Sequence, residues 1–180
     1  MAILTTERLI LRRWRDSDRE PFARMCADLR VMEFMPRLLT REESFDFVAR
    51  IEEHIRAHGF GLYAAELRAE PGSFIGFVGI WRPAFVAAFT PCVEIGWRLA
   101  PEYWGRGLAT EGARAVAAHA FGDLKLPEIV SFTAPANVRS RRVMEKIGMA
   151  RDMDGDFDHP RVAEGNPLRR HVLYRMKAPK

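Results

Sequence analysis

Hydrophobic residues in the first 60 positions recur every three to four residues, after one short apolar segment near the start. That segment, LILRRW at 9–14, predicts a first strand. The helical spacing that follows predicts a helix opened by a capping box of Ser17 and Glu20. Its apolar positions are Phe22, Met25, Cys26 and Leu29.

A longer helix is predicted downstream, where Thr40 and Glu43 form a second capping box. Its apolar positions again share one face: Phe45, Val48, Ile51 and Ile55. We expect this helix to end at Gly59, because glycine adopts the left-handed conformation that closes helices.

From residue 60 the spacing changes to alternation and short apolar runs, which predict strands. Three segments have this pattern: 60–67, 73–81 and 93–99. Pro71-Gly72 predicts a turn between the first two. The apolar loop at 83–92 is either a core-packing excursion or part of a wall that faces a substrate, and we expect core packing.

The rest of the chain mixes helices and strands. The predicted elements are a loop and helix at 101–121, a strand at 128–133, a helix at 137–149, and strands around 149–154 and 169–176. Residues 1–180 are therefore expected to form one mixed α/β (α+β) domain whose sheet is covered by helices on both faces.

Composition and charge narrow the class of protein. The chain is 48% hydrophobic and 29% charged, as is usual for a globular domain. Its net charge of +4 favours anionic ligands but is too small to indicate nucleic-acid binding, so no nucleic-acid partner is expected. No apolar run reaches membrane-spanning length and no signal-peptide core is present. We therefore expect a cytoplasmic protein with no membrane partner.

Cysteine and histidine spacing predicts no metal site. Cys26 and Cys92 show neither metal-ligand spacing nor a disulfide framework, and Cys26 is expected to be a buried thiol. His54 and His58 stand four residues apart, but no third ligand accompanies them.

The segment 101-PEYWGRGLATEG-112 joins a strand to a helix through Gly105 and Gly107. Glycines there let the backbone approach a ligand, and the free N–H groups of the helix start favour an anion. A Walker loop is excluded because no lysine with serine or threonine follows the last glycine. A dinucleotide fingerprint fails at Thr110, where a third glycine is required. A plain strand-to-helix turn remains the alternative.

With the preceding VEIGW, this segment resembles the coenzyme A-binding motif of the GNAT superfamily of N-acetyltransferases. The motif falls on Trp104, Gly107 and Ala109, with Trp104 departing from the usual first residue at a position that contributes mainly backbone. The segment 137-NVRSRRVMEKIGM-149 resembles the second family motif, and TERLILRRWRDSD and HVLYRM resemble the RimJ/RimL-type branch. The resemblance implies a mostly antiparallel sheet of six to seven strands.

The resemblance also implies acetyl-CoA as cosubstrate, no metal, and direct acetyl transfer to a primary amine in a ternary complex. The acceptor would be a small amine or a peptide or protein N-terminus, and a homodimer is compatible with the family. Backbone groups of Trp97 and Leu99 would pair with the pantetheine arm, and the N–H groups of 105–110 would hold the pyrophosphate. The cofactor-binding residues expected are Trp97, Leu99, Trp104, Gly105, Arg106, Gly107, Leu108, Ala109, Thr110, Asn137 and Arg142.

Glu94 is the candidate base. Alternation puts it on the face of its strand with Gly96 and Arg98, opposite the apolar residues, and apolar surroundings would raise its pKa. An acidic residue is common at this position in the family. The alternative is that Glu94 pairs with an arginine of a neighbouring strand.

Ser140 is the candidate acid for the departing thiolate. It shares a helix face with Val143, Met144 and Ile147. The alternative is a packing role with a bond to a backbone carbonyl. Many family members carry a tyrosine where this chain has Met144, which leaves Ser140 or a water as the acid.

Asn137 combines two expected roles, helix N-cap and contact to the pantetheine arm or a water. Arg142 or Arg139 would meet the ribose phosphate, or else lie on a solvated helix face. Two other function classes remain to be weighed: a non-catalytic acyl-CoA-binding or sensor module, and a nucleic-acid binder.

Overall fold

The computed structural model describes residues 2–179 and contains one eight-stranded sheet. The strands are β1 (Ala2–Thr5), β2 (Leu9–Arg12), β3 (Leu62–Leu67), β4 (Phe74–Trp81), β5 (Glu94–Leu99), β6 (Glu128–Thr133), β7 (Ala150–Asp158) and β8 (Arg170–Lys177). They lie in the order β1-β2-β3-β4-β5-β6-β8-β7, and every neighbouring pair is antiparallel except β5 and β6. The mixed, mostly antiparallel fold is thus confirmed.

Helices cover both faces of the sheet. They are α1 (Arg19–Cys26), α2 (Arg41–His58), α3 (Leu108–Gly122) and α4 (Val138–Lys146). The Phe77 ring of β4 meets Phe22 of α1 and Phe47 of α2, whereas Val78 meets Gly112 of α3. Neighbouring strand residues point to opposite faces, so α1 and α2 lie on one face and α3 on the other. No helix within 2–179 is long and apolar enough to span a membrane.

The expected count of six to seven strands was too low by the edge strand β1. This strand pairs with β2 through a short hairpin, and its four residues show too little alternation to be recognised alone. The first predicted strand, 9–14, ends at Arg12 instead. The Arg12 side chain is 1% exposed because it lies in ion pairs with Asp18 and Glu66.

The capping box predicted at Ser17 and Glu20 is wrong. Asp18 accepts the backbone N–H of Arg15 at 2.7 Å, and a short 3-10 turn over Asp16–Asp18 precedes α1. The Asp18 carboxylate is drawn inward by Arg12, a partner that helix-capping patterns do not reveal. Leu29 lies beyond the end of α1 and is 74% exposed, so its predicted place on the helix is wrong too.

The predicted start and end of helix α2 are both confirmed. The hydroxyl of Thr40 accepts the N–H of Glu43 at 3.2 Å, and the Glu43 carboxylate accepts the N–H of Thr40 at 2.9 Å. Gly59 closes the helix at φ +78°, in the left-handed region.

The functional part of the sheet lies where its direction pattern changes. Strands β5 and β6 are parallel and share one register pair, Glu94 with Val130. Beyond it they separate, and a wedge opens between Gly96–Leu99 and β6. Helix α3 connects the two strands, and α4 follows β6, so both helices border the wedge.

Candidate active site

The backbone of β5 offers hydrogen-bonding groups to the wedge. Ala100 donates its N–H to the carbonyl of Ile75, which lies across from it on β4, at 3.0 Å. Backbone groups alternate sides along a strand, so those of Trp97 and Leu99 point away from β4. They can pair with an added strand or with an extended ligand that carries amide groups.

The loop between β5 and α3 is shaped by two glycines in the left-handed region. Gly105 has φ +71° and Gly107 has φ +78°. The first backbone bond of α3 runs from Glu111 N–H to Gly107 carbonyl at 3.0 Å. The N–H groups of residues 108–110 therefore have no acceptor within the helix, and with the helix dipole they favour an anion.

A second segment braces this loop. The Glu111 carboxylate accepts bonds from the Thr6 hydroxyl at 2.6 Å and from the Arg8 backbone and side chain at 2.8 and 2.6 Å. Arg8 also donates to the carbonyl of Arg106 at 2.9 Å. Burial works to raise the pKa of Glu111, but the bonds from Thr6 and Arg8 outweigh it and the pKa is lowered.

The indole of Trp104 fixes the loop to β5. Its N–H donates to the carbonyl of Leu99 at 2.7 Å, and the guanidinium of Arg139 lies 4.6 Å from the ring centroid. The mainly backbone role expected of Trp104 toward the cofactor stays a prediction, and its side chain makes a structural bond as well. That bond also occupies one of the Leu99 groups expected to pair with a ligand.

A cavity of about 340 Å³ runs along the loop, the wedge and α4, and we call it the loop cavity. It brings together most of the cofactor-binding residues expected from the sequence: Trp97, Leu99, Trp104, Gly105, Gly107, Leu108, Ala109, Thr110, Asn137 and Arg142. Arg106 is the exception. Its side chain is exposed and lies over the ring of Tyr103, outside the cavity lining.

A second cavity of about 420 Å³ lies on the α1–α2 face of β5, and we call it the aromatic cavity. Glu94, Gly96 and Arg98 form its floor, as the alternation of β5 predicted. A methyl group placed on Gly96 would meet no atom within 4 Å, so the floor is open there.

The wall of the aromatic cavity includes the apolar loop at 83–92. The Phe85 ring lies 5.6 Å from Phe132 and 6.1 Å from Phe157, and His159 and His171 join the same cluster. Core packing was expected for this loop, but none of residues 83–92 is buried and Val86 is 90% exposed, so that expectation is wrong. The loop instead contributes Pro83 and Phe85 to the cavity wall, and its role toward a substrate stays a prediction.

The two cavities meet at a shared set of residues. Trp97, Arg98, Asn137 and Ser140 line both of them, together with Phe34 and Met35 from the segment before α2. A ligand in the loop cavity and a second in the aromatic cavity would therefore touch at this junction.

Glu94 has no ionic partner among residues 2–179, so the alternative pairing with a neighbouring arginine is not met in the described chain. Burial raises its pKa to about 8. Nearby, burial and then Glu94 itself raise the pKa of the Cys92 thiol to about 11. Cys92 therefore remains a protonated thiol near neutral pH.

Helix α4 presents Asn137 and Ser140 at the junction. Asn137 caps the helix: its Oδ1 accepts the N–H of Ser140 at 3.1 Å, and its Nδ2 donates to the Thr133 hydroxyl at 2.9 Å. The Ser140 hydroxyl forms no hydrogen bond within the described part of the chain, so the alternative bond to a backbone carbonyl is not made. Met144 is buried in the core.

These features can be compared with known proteins. The sequence profile of the acetyltransferase (GNAT) domain matches residues 8–150. The chain belongs to the GNAT acetyltransferase family. It is therefore an acyltransferase, and the eight-stranded sheet with its wedge is a GNAT fold.

Relatives of this GNAT protein match it in sequence or in structure along most of its length. The uncharacterized N-acetyltransferase YnaD of Bacillus subtilis (strain 168) is 31% identical over 83% of each chain. A GNAT-family acetyltransferase from Bacillus anthracis superposes with a TM-score of 0.79 at 28% identity, over 97% of each chain. RimL, a ribosomal L7/L12 alpha-N-protein acetyltransferase solved with coenzyme A, superposes at 0.77 over 99% of this chain and 98% of its own. Its identity of 14% shows a shared fold.

Two parts of this GNAT site were not found from the sequence. The brace of Thr6 and Arg8 on Glu111 could have been suspected, since both segments belong to recognised motifs. The aromatic cluster had one signal, the unusually apolar loop. Within 2–179 no three His, Cys, Asp or Glu side chains are grouped to hold a metal ion. Both ring nitrogens of His54 are used, by the Phe60 carbonyl and the Arg82 N–H.

Proposed function

We propose that this GNAT protein is an N-acetyltransferase that moves the acetyl group of acetyl-CoA to a primary amine by direct attack in a ternary complex. The observation that carries the proposal is the junction of the two cavities. The loop cavity suits the cosubstrate, the aromatic cavity suits the acceptor, and Asn137 and Ser140 lie where they meet.

The loop cavity fits coenzyme A by its chemistry. The free N–H groups of 108–110 would take the pyrophosphate, and the wedge-facing groups of Trp97 would pair with the pantetheine amides. Arg142 lies on α4, lines the same cavity and forms no ion pair within 2–179, so it is available to a ribose phosphate. Arg106 contributes its backbone, which Arg8 holds in place.

Glu94 would act as the base. An ammonium acceptor must lose a proton before it can attack, and a carboxylate with a pKa near 8 is a far stronger base than an ordinary glutamate. The proton passes to Glu94, directly or through water, and the amine nitrogen then bonds to the thioester carbonyl carbon. A backbone N–H of the wedge would stabilise the carbonyl oxygen as it becomes negative.

Ser140 would complete the transfer. The C–S bond breaks, the electron pair stays on sulfur, and the thiolate takes a proton from the Ser140 hydroxyl or from a water held by Asn137. The nitrogen, now bonded to the acetyl carbon, gives up its excess proton and so restores that hydroxyl or water. Cys92 has no part, because direct transfer needs no protein nucleophile. A non-catalytic acyl-CoA-binding module would have no use for an unpaired, half-buried carboxylate, so Glu94 favours the enzyme.

The wider assignments rest on the resemblance. Small amines and peptide or protein N-termini both remain acceptor classes, and the solved RimL relative acts on a protein. The same proposal includes four further properties. Residues 1–180 act as a single domain, the protein belongs to the RimJ/RimL-type branch, it is located in the cytoplasm, and it forms a homodimer.

The test is release of CoA thiol from acetyl-CoA in the presence of primary amines and N-terminal peptides, with the acetylated product identified by mass spectrometry. We expect at least one amine to raise thiol release well above background hydrolysis. Binding of acetyl-CoA without acetyl transfer to any amine would instead establish the non-catalytic module. Strong salt-dependent binding of nucleic acid would support the remaining class.

A further inference from the structure

The side chains that line the aromatic cavity carry a net positive charge. Arg50, Arg98 and Arg161 line it, and none of the three forms an ion pair among residues 2–179. Elsewhere in the chain arginines commonly pair with carboxylates, as Arg13 does with Glu52 and Arg139 with Glu33. Three arginines without a carboxylate partner therefore gather at one cavity.

The imbalance is not removed by the other titratable groups of the cavity. Burial, and then His171, lower the pKa of His159 to about 4, and burial also lowers the pKa of His171. Both imidazoles are neutral at pH 7. Glu94, with its pKa raised by burial, is largely protonated there, so the guanidinium groups dominate the field inside.

Arg98 is the deepest of the three. Its guanidinium donates to the sulfurs of Cys26 and Met35, at 3.5 and 3.1 Å, and lies over the Phe77 ring. Sulfur is a weak acceptor, and a partly buried charge without a strong partner is costly. Arg50 and Arg161 are exposed and lie on the cavity lining, where they can attract an anion.

Coenzyme A does not explain Arg98. Its phosphates would lie at the start of α3, whereas the guanidinium of Arg98, although Arg98 also lines the loop cavity, lies on the opposite face of β5 beside Cys26 of α1. The portion of the cosubstrate that reaches the junction is the uncharged pantetheine and thioester. The anion for Arg98 must therefore come from the other substrate.

The spacing on β5 limits the size of that substrate. Glu94 and Arg98 are four residues apart on one face, about 13 Å between Cα atoms in a strand. Gly96 lies between them on that face, and a methyl group placed on it would meet no atom within 4 Å, so the space between the two side chains is open. The gap left suits an amine and an anionic group separated by a few bonds.

We propose that the acceptor is a small primary amine that carries a carboxylate, bound through its carboxylate to Arg98 with its amine toward Glu94. Its remaining carbon atoms would lie against the ring of Phe85 and its neighbours. This inference rests on the proposed acetyltransferase function and narrows its substrate class.

The experiment compares matched acceptors in the thiol-release assay. Each set contains an amino acid, its amide, and the amine without the carboxylate, built on α-, β- and γ-amino acid chains; phenylalanine, phenylalanine amide and 2-phenylethylamine form one set. A short peptide with a free N-terminus is added. We expect kcat/KM to be highest for the acids.

Arg98→Gln should lower kcat/KM for the acids by about 10- to 100-fold, because this is the usual effect of removing a hydrogen bond to a charged group. The kcat/KM for the amides should change little. Arg98→Lys should restore part of the preference. Arg24→Gln, an exposed α1 arginine outside both cavities, is the control. Acetyl-CoA affinity, measured on each variant, reports correct folding.

Three outcomes would overturn the proposal. Amides, plain amines or the peptide that prove equal or better acceptors would remove the carboxylate from recognition while leaving the acetyltransferase function intact. A uniform loss across all acceptors in Arg98→Gln would mean that Arg98 acts on the thioester instead. Absence of transfer to every amine would remove the proposed function, and this inference with it.

Discussion

The Nε–H of Arg8 donates to Oε2 of Glu111 at 2.6 Å, across 103 positions of chain. Arg8 immediately precedes β2, and Glu111 lies in the first turn of α3. Because Arg8 also bonds the carbonyl of Arg106, this contact holds the glycine loop from outside. The N-terminal segment that contains Arg8 and the glycine loop with the start of α3 thus form one structural unit.

Glu111→Gln should weaken this unit. The amide keeps the size of the carboxylate but loses its charge, so we expect about 1–2 kcal/mol less stability and a several-fold weaker affinity for acetyl-CoA. The measurements are calorimetric titration with acetyl-CoA and denaturant unfolding. Glu53→Gln removes an exposed ion pair on α2 and should change neither by much.

The pH dependence of stability gives a second test of Glu111. Its pKa is lowered on folding, so its contribution is present above the ordinary glutamate pKa and is lost as pH falls through the lowered value. The gap in stability between wild type and Glu111→Gln should therefore close in acid. A gap that persists unchanged at low pH would show that the charge is not what matters.

Gly107→Ala tests the conformation of the loop. At φ +78° a side chain costs about 1–2 kcal/mol, although the added methyl would meet nothing closer than Arg8 at 3.6 Å. We expect lower stability and weaker acetyl-CoA binding, since the loop must relax. Gly122→Ala, in the last turn of α3 with φ outside the left-handed region, should be neutral or slightly stabilising. Equal thermal shifts in both variants would contradict this account.

The sequence predicted those elements whose signals are local. Helix α2 is one, because its capping box and its terminal Gly59 each act within a few residues. The alternation of β5 likewise put Glu94, Gly96 and Arg98 on one face. In contrast, the start of α1 depends on Asp18 turning toward Arg12, and β1 exists only because β2 pairs with it.

In the candidate site, too, the residues with local sequence signals were predicted and those that depend on distant contacts were not. Glu94, Asn137 and Ser140 were selected from strand and helix periodicity together with the family resemblance, and the fold brings them to two connected cavities. The contact of Phe85 with Phe157 joins positions 72 residues apart, and no local pattern encodes it. The lack of a carboxylate partner for Arg98 is likewise visible only when every neighbour is known.

Ser140→Ala tests the proposed acid. If the hydroxyl protonates the thiolate, kcat should fall by about 10- to 100-fold while the KM for acetyl-CoA changes little. An acetyl thioester of a more acidic thiol, bound in the same cavity, should be less affected because its leaving group needs less help. Ser73→Ala, at an exposed serine before β4, is the control. An unchanged kcat would assign the proton to a water.

Glu94→Gln tests the proposed base. With a pKa near 8, only a small fraction of Glu94 is ionised at pH 7, so kcat of the wild type should rise with pH and level off above 8. The variant should lose about 100-fold or more in kcat near pH 8, lose that rise, and retain its affinity for acetyl-CoA. Equal acetylation rates in the two proteins would remove Glu94 from the mechanism.

The pH dependence of unfolding of Glu94→Gln tests whether the pKa of Glu94 is raised in the folded protein. The folded pKa of Glu94 is raised, so between about pH 4.5 and 8 the folded state holds a proton that the unfolded state releases. The free energy of unfolding should therefore decline as pH rises through this window, by at most about 1.4 kcal/mol per pH unit. Glu94→Gln should remove the decline, and Glu53→Gln should not. If the two variants show the same pH profile of unfolding, Glu94 titrates as an exposed glutamate and cannot serve as a base of raised pKa.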